Sequence, residues 1–171
     1  MPSTAPSLAS IPADWLPAGV DPATARIAGA DEVGRGSGAG LFLAACVEIP
    51  LGVVVPANLA DSKRFNPRGA TLAALAAWVE DNCRVHSVSY SVEQIDEMGI
   101  GRVNVEAFER LIEMAGVDLV IVDGNLRLHS KLAFRCVTKA ERFSPVAAAS
   151  IWAKRTRDRA MNEVAAQHPG Y

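Results

Sequence analysis

Residues Ile27 to Gly40 read IAGADEVGRGSGAG, and the rest of the chain is interpreted outward from them. A short apolar run leads into two adjacent carboxylates, Asp31 and Glu32, followed by a glycine-rich loop that carries Arg35. Neighbouring side chains of a strand point to opposite faces, so the two acids can share one site only if the strand ends or bends there. The glycines permit such a bend and let the backbone approach a phosphate or sugar closely. Taken alone, a solvated turn is the alternative.

A second stretch, Leu119 to Asn125 with the sequence LVIVDGN, supplies a partner for these acids. Its four apolar residues predict a buried strand that ends on Asp123 and is followed by a Gly-Asn turn. A carboxylate at the end of a buried strand is costly unless it is paired or bound to a metal. Together the two stretches favour a divalent-metal site at Asp31, Glu32 and Asp123 over two unrelated turns.

Length and composition limit the class of protein. The 171 residues, 50% apolar, suit one domain with a real core, and no uncharged apolar run is long enough for a membrane span, so a soluble protein is expected. Residues 1–25 lack a basic start before an apolar run, which predicts an irregular tail ahead of one domain over residues 26–171. The odd number and wide spacing of Cys46, Cys83 and Cys136 indicate reduced thiols in a cytoplasmic protein.

Basic residues are concentrated near the C-terminus. From Leu126 to Arg159 there are nine Lys or Arg and two acids, a local charge of +7 in a chain of net charge −2, which leaves about −9 elsewhere. A basic segment beside clustered carboxylates suits a polyanion held over a cation site. A helix solvated by its own arginines is the alternative.

The remaining pattern predicts one mixed sheet surrounded by helices. Strands are expected at 26–30, 41–49, 85–92, 119–123 and 132–138, with a further short strand at 53–55. Helices are expected after an Asn66 cap with Pro67, from a Ser91–Gln94 capping box to Gly99, from an Asn104 cap to Gly116, and from Ser144 to about Gln167. The last helix is expected to bury Val146, Ala149, Ala153, Ala160 and Val164.

Acids at the strand ends of such a sheet can converge at one edge, where Glu141, just beyond the last strand, can join the other three. Residues 34–39 satisfy a loose dinucleotide-binding pattern, but a strand-like run follows instead of a helix, which argues against a nucleotide-dependent oxidoreductase. A Gly-Lys-Ser/Thr loop of the ATPase kind is also absent from the sequence. His86, His129 and His168 lack metal-ligand spacing.

Four segments, IAGADEVGRG, LADSK, VDGN and AAASIWAKRTRDR, resemble ribonuclease HII, the type 2 ribonuclease H, in order and approximate spacing. The resemblance covers about Ile27 to Tyr171. It implies the ribonuclease H fold, an α/β fold with a mixed central sheet. It also implies an endoribonuclease that uses Mg²⁺ or Mn²⁺ to cut the RNA strand of RNA/DNA hybrids, including at single ribonucleotides embedded in DNA. The expected partner is hybrid nucleic acid, with no membrane, and the chain is expected to act as a monomer.

The resemblance implies a role for each matched residue. The catalytic, metal-binding acids fall on Asp31, Glu32, Asp123 and Glu141. Substrate contacts fall on Gly34, Arg35 and Gly36 of the junction-reading loop and on Lys63, Asn125 and Lys154. Asp158, one helical turn from Lys154, is interpreted as structural.

The chain departs from the family pattern at two places. Glu141 stands in Lys139-Ala140-Glu141, where the family has an aspartate. The sequence also stops at Pro169-Gly170-Tyr171, before a Gly-Tyr motif whose tyrosine packs on the sugar at the RNA-to-DNA junction. We therefore expect this chain to cut continuous hybrids better than single embedded ribonucleotides. A catalytically impaired relative that binds hybrids without cutting them is the alternative.

Overall fold

A computed structural model describes residues 11–36, 40–59 and 69–167. These residues form a five-stranded mixed sheet flanked by helices, as the sequence predicts. The strands are β1 (Ile27–Val33), β2 (Phe42–Glu48), β3 (Arg84–Tyr90), β4 (Leu119–Asp123) and β5 (Phe134–Val137). The helices are α1 (Ala70–Asn82), α2 (Val92–Met98), α3 (Ile100–Ala115) and α4 (Ser144–Gln167). Among the described residues, no helix is long and apolar enough to cross a membrane.

The sheet has the strand order β3-β2-β1-β4-β5. The first three strands in sequence form an antiparallel meander, whereas β4 pairs parallel to β1 and β5 pairs parallel to β4. The carboxyl ends of β1, β4 and β5 therefore lie at the same edge. In open sheets of this kind, that edge is where ligands bind.

The two faces of the sheet pack against different helices. Ala28 and Ala30 of β1 belong to the apolar core that α3 covers. Because side chains alternate along a strand, Gly29 and Asp31 lie on the other face, which α4 covers. On β4 the same alternation sends Leu119 and Ile121 into the α4 side of the core. Asp123 therefore lies on that face as well.

Small residues let α4 lie unusually close to β1. A Cβ atom placed on Gly29 would collide with the backbone of Pro145 and Val146 at the start of α4. The first half of this helix buries mostly alanines, namely Ala147, Ala148, Ala149 and Ala153. Such residues allow backbone to approach backbone, so α4 is seated directly on the strand that carries Asp31.

Several predicted boundaries are confirmed. The Ser91–Gln94 capping box is present, with both of its hydrogen bonds, and Gly99 ends α2. Gly116 ends α3 in the left-handed conformation that glycine favours, with φ 56°. The apolar residues of α1 that are buried lie on one side of the helix, comprising Leu72, Leu75, Ala76 and Val79. The predicted Asn66 and Pro67 start of this helix lies outside the described residues.

Two predicted features are wrong. Residues 53–55 form no strand, because Pro50 and Pro56 flank a turn there and Val54 is 85% exposed. Asn104 does not cap α3, which starts earlier because Gly99, at φ 81°, ends one helix and caps the next. Asn104 is instead buried inside the helix.

Three predicted elements differ in extent. β1 continues to Val33, so it does not end at the acids, and β5 is shorter than predicted because it begins only at Phe134. The predicted inner face of α4 holds for Val146, Ala149 and Ala153. It fails at Ala160, which is only partly buried, and at Val164, which is 45% exposed.

Residues 11–25 contain one short 3₁₀ helix, Ala13–Trp15, and are otherwise irregular. They are nevertheless packed on the domain. The Trp15 ring meets Phe143 edge to face at a centroid distance of 5.7 Å, and Ile11, Leu16 and Val20 contact the same apolar cluster.

Candidate active site

Acidic side chains lie near the carboxyl ends of three neighbouring parallel strands. Ala30 and Val122 are the last residues paired between β1 and β4, so Asp31 and Asp123 are the next residues along the two strands. Glu141 lies in a 3₁₀ turn shortly after β5. The predicted edge therefore carries the acids, and Asp31 and Asp123 share the face that α4 covers.

Asp31 has the most unusual environment of these acids. It is only 7% exposed, and its Oδ1 accepts a hydrogen bond of 2.8 Å from the backbone N–H of Glu32. The Ser150 hydroxyl of α4 also hydrogen-bonds to it. Burial, followed by the negative charges of Glu32 and Asp123, raises the pKa of Asp31 to about 7, against the lowering effect of the hydrogen bonds. An added cation would relieve both causes of the increase.

Asp123 links the strand end to the turn that carries Glu141. Its Oδ1 accepts a hydrogen bond of 2.6 Å from the backbone N–H of Ala140. Lys139, just before this contact, has a left-handed backbone with φ 57°, which turns the chain sharply after β5. Glu141 directly follows Ala140, so this hydrogen bond fixes the backbone beside Glu141.

Glu32 is placed differently. It pairs with Ala44 in the continuous β1–β2 ladder, so the strand does not end at Asp31 as the shared-site argument requires. By alternation its side chain leaves the sheet on the α3 side. Its charge still raises the pKa of Asp31, so the two carboxylates remain electrostatically coupled.

The acids suit a hard divalent cation, but they are not gathered around one point. Within residues 11–36, 40–59 and 69–167, no three acidic, histidine or cysteine side chains stand close enough to hold a metal ion as they are placed. Carboxylate oxygens are the ligands that Mg²⁺ and Mn²⁺ favour. Asp31 is buried, and the negative charges of Glu32 and Asp123 add to the increase of its pKa, so a cation at this edge would offset this negative charge. The donor set therefore fits the predicted metal.

The glycine loop after β1 is held by the second half of α4. Arg157 Nε donates a hydrogen bond of 3.0 Å to the Leu41 carbonyl, and a Cβ on Gly34 would lie 3.0 Å from the same nitrogen. A Cβ on Gly40 would collide with the Met161 sulfur. Both ends of the loop therefore rest on α4.

The first residues of this loop face solvent. Arg35 and Gly36 are exposed, and a Cβ added to Gly36 would have nothing within 4 Å. Nothing within the described residues therefore fills the space over Gly36. The backbone there is free to approach a ligand.

The other predicted substrate contacts are distributed around the site. Asn125 is exposed after the turn at Gly124. Lys154 Nζ lies 3.7 Å from Asp158 Oδ2, one turn along α4, which agrees with a structural role for Asp158. Lys63 lies outside the described residues.

Cations of the basic segment around β5 are exposed, and two of them, Lys139 and Arg142, lie in the turn that carries Glu141. Five cations of the loop before β5, of β5 itself and of the turn after it face solvent: Arg127, Lys131, Arg135, Lys139 and Arg142. They can contact a polyanion from these positions, whereas the other four cations of the segment, Lys154, Arg155, Arg157 and Arg159, lie on α4.

Two contacting residues, Ser150 and Arg157, received no role from the sequence. Both lie in the segment AAASIWAKRTRDR, whose order is informative but whose spacing alone does not show which side chain reaches β1. The signal for Ser150 is a hydroxyl among buried alanines. For Arg157 there is no comparable signal, since it is one of several arginines.

Comparison with known proteins agrees with this geometry. The profile of the family described as Ribonuclease HII matches residues 28–171. Ribonuclease HII of Ruegeria pomeroyi is 40% identical over 151 residues, which cover 85% of this chain and 63% of that protein. The chain thus spans somewhat less than two thirds of the length of this relative.

Solved structures show the same fold. The ribonuclease HII in a complex with PCNA from Archaeoglobus fulgidus has a TM-score of 0.71 and 25% identity, covering 83% of this chain and 77% of that one. The structure of Bst ribonuclease HIII in complex with Mn²⁺ has a TM-score of 0.65 and 18% identity. The match covers 84% of this chain and 55% of that one. A family profile that spans most of the sequence, together with this close relative, shows that the chain belongs to the ribonuclease HII family.

Proposed function

We propose that this chain is a metal-dependent endoribonuclease that hydrolyses the RNA strand of RNA/DNA hybrids. The observation that carries the proposal is the position of Asp31, Asp123 and Glu141 near the carboxyl ends of three adjacent parallel strands. Asp31 is buried beside other negative charges, and this arrangement costs free energy unless a cation or a proton compensates for it. Membership of the ribonuclease HII family supports the same reaction.

Asp31, Glu32, Asp123 and Glu141 would hold Mg²⁺ or Mn²⁺, and the Mn²⁺ complex of the Bst enzyme supports this choice of cation. When bound, the cation supplies Lewis acidity to a water nucleophile and to the phosphate. The protein contributes the placement of its acids. Asp31 is held by the Glu32 amide and by Ser150, and Asp123 is held by the Ala140 amide.

Recognition of the hybrid is assigned to the loop and to the basic surface around the acids. Gly34 and Gly36 would bring backbone groups close to a ribose 2′-hydroxyl, the group by which RNA differs from DNA. Arg35, Asn125, Lys154 and Lys63 would contact the sugar-phosphate backbone. The exposed cations near β5 extend this surface. Continuous hybrids are the proposed substrate.

The three cysteines are free thiols, two of them partly exposed, and this supports the prediction of a reducing, cytoplasmic location. The monomeric state also stays a prediction.

The test is a cleavage assay with Mg²⁺, Mn²⁺ or EDTA on a continuous RNA/DNA hybrid. Asp123→Asn should reduce the rate to below a tenth of the unsubstituted rate, which is at least about 1.4 kcal/mol of barrier, because a ligand charge is lost. Asp81→Asn, which changes an exposed acid on α1, is the control and should cut normally. A hybrid that is bound but left intact with either metal would identify the non-catalytic alternative.

The same assay tests the fourth acid. Glu141→Ala should lower the rate, whereas Glu141→Asp should keep or raise it, because catalytic geometry tolerates little displacement of a carboxylate. Full activity of Glu141→Ala would show that three acids suffice.

A further inference from the structure

The buried hydroxyl of Ser150 on α4 contacts Asp31, one of the proposed metal ligands. Between Pro145 and Ala153, the buried side chains of α4 are apolar except at this position. A buried hydroxyl in a helix commonly satisfies itself on the carbonyl four residues earlier. Here the hydroxyl bonds to the carboxylate of Asp31.

The packing of α4 along β1 explains why this contact forms. Val146 touches β1 at Gly29, and Ser150 lies one turn further along the same side of the helix. Four helical residues advance about 6 Å. Two strand residues, from Gly29 to Asp31, advance about 6.6 Å on the same face. Because these two distances are nearly equal, the Ser150 side chain lies opposite the Asp31 side chain.

Asp31 is held by two hydrogen bonds that come from different elements. The Glu32 amide fixes one oxygen from the strand at 2.8 Å, and the Ser150 hydroxyl reaches the carboxylate from the helix. Both side chains are 7% exposed, so little water is available to replace either donor. A ligating carboxylate is oriented by the groups that hydrogen-bond to it. Rotation of Asp31 is thereby restricted before a cation arrives.

We propose that Ser150 is a positioning residue for the metal site, which holds the Asp31 carboxylate in the orientation that binds a divalent cation. The inference rests on the proposed function, because it assumes that Asp31 is a ligand. It adds that α4, and not only the strand ends, determines the affinity for metal. Loss of the hydroxyl is expected to weaken metal binding by about 10- to 100-fold, the range found when partners of metal ligands are removed.

The experiment measures Mn²⁺ binding by isothermal titration calorimetry, without nucleic acid, for the unsubstituted chain and for Ser150→Ala. The control is Thr156→Ala, which removes a hydroxyl from the same helix about 9 Å further along and rotated by about 240°. Ser150→Ala should raise the dissociation constant at least tenfold, and Thr156→Ala should change it less than twofold. In cleavage assays, the Mn²⁺ concentration for half-maximal rate should rise in parallel, while the rate at saturating Mn²⁺ stays within about threefold.

A dissociation constant within twofold of the unsubstituted value for Ser150→Ala would overturn the inference while leaving the proposed function intact. So would an equal loss in Thr156→Ala, or a loss of binding that circular dichroism traces to unfolded protein. If the unsubstituted chain binds no Mn²⁺, the proposed function fails, and the inference fails with it.

Discussion

The two halves of α4 support the candidate site by different means. The first half, through Ala153, is buried and built from small residues, so its backbone lies against β1 at Gly29 and its one central hydroxyl reaches Asp31. The second half carries long side chains such as Arg157 and Met161, which reach across to the glycine loop. Close backbone packing tolerates almost no change of volume, whereas long side chains can move. We infer that the metal side of the site is rigid and the loop side is adjustable.

The largest expected effect concerns the Asp31 carboxylate, which the first half of α4 buries. The pKa of Asp31 is raised to about 7, mainly by burial, from the usual value near 4. A raised pKa means that the protonated acid stabilises the fold fully below pH 4, and that this stabilisation is lost as the pH rises through about 7. The measurement is the free energy of unfolding by urea, in EDTA, of Asp31→Asn and of the unsubstituted chain. As the pH rises from about 4 to about 8, this free energy should increase for Asp31→Asn relative to the unsubstituted chain by on the order of 4 kcal/mol.

Asp96→Asn, an exposed acid of α2, is the control and should show no such gain. A difference between Asp31→Asn and the unsubstituted chain that does not vary with pH would mean that Asp31 is already charged at pH 5 in the folded protein.

A second prediction compares the two halves of α4 by adding one methyl group to a glycine that packs against each half. Gly29→Ala places a Cβ against the backbone of Pro145 and Val146, and this backbone cannot move without shifting α4. We expect a loss of about 3 kcal/mol in the free energy of unfolding. Gly40→Ala meets the flexible ends of the Met161 and Arg157 side chains, and its φ of 83° adds strain. Its loss should be smaller, about 1 to 2 kcal/mol.

Urea titrations of Gly29→Ala and Gly40→Ala measure the difference directly. Equal losses, or a larger one at Gly40, would show that the second half of α4 is packed as tightly as the first.

The smallest expected effect concerns Arg157 and the loop. Arg157→Met removes the hydrogen bond to the Leu41 carbonyl and keeps most of the side-chain volume. Arg159→Met is a matched control, because it removes the same charge from the same helix. The Arg159 guanidinium lies 3.5 Å from the Glu80 carboxylate of α1. Affinity for a hybrid, measured by fluorescence anisotropy in Ca²⁺, should fall about tenfold in the first variant, or about 1.4 kcal/mol, and about twofold in the second. Equal losses would indicate that only charge matters.

The sequence predicted the elements that local rules control. The apolar run 119–123 matched β4 to the residue, and the capping box at Ser91 and the stop at Gly116 matched because each depends on neighbours along the chain. It failed at Asn104, where a good capping residue is overruled by Gly99. It also failed at residues 53–55, where valines with high strand propensity lie between two prolines and have no strand beside them.

The sequence by itself placed Asp31, Glu32, Asp123 and Glu141 near strand ends, because buried strands and the turns after them are visible as local patterns. Only the tertiary structure decided which of these acids share a face. The parallel register of β1 and β4 puts Asp31 and Asp123 side by side, while alternation sends Glu32 to the other face. The sequence did not predict the roles of Ser150 and Arg157 either. They depend on how closely α4 lies on β1, a distance set by Gly29 and by alanines more than a hundred residues away in sequence.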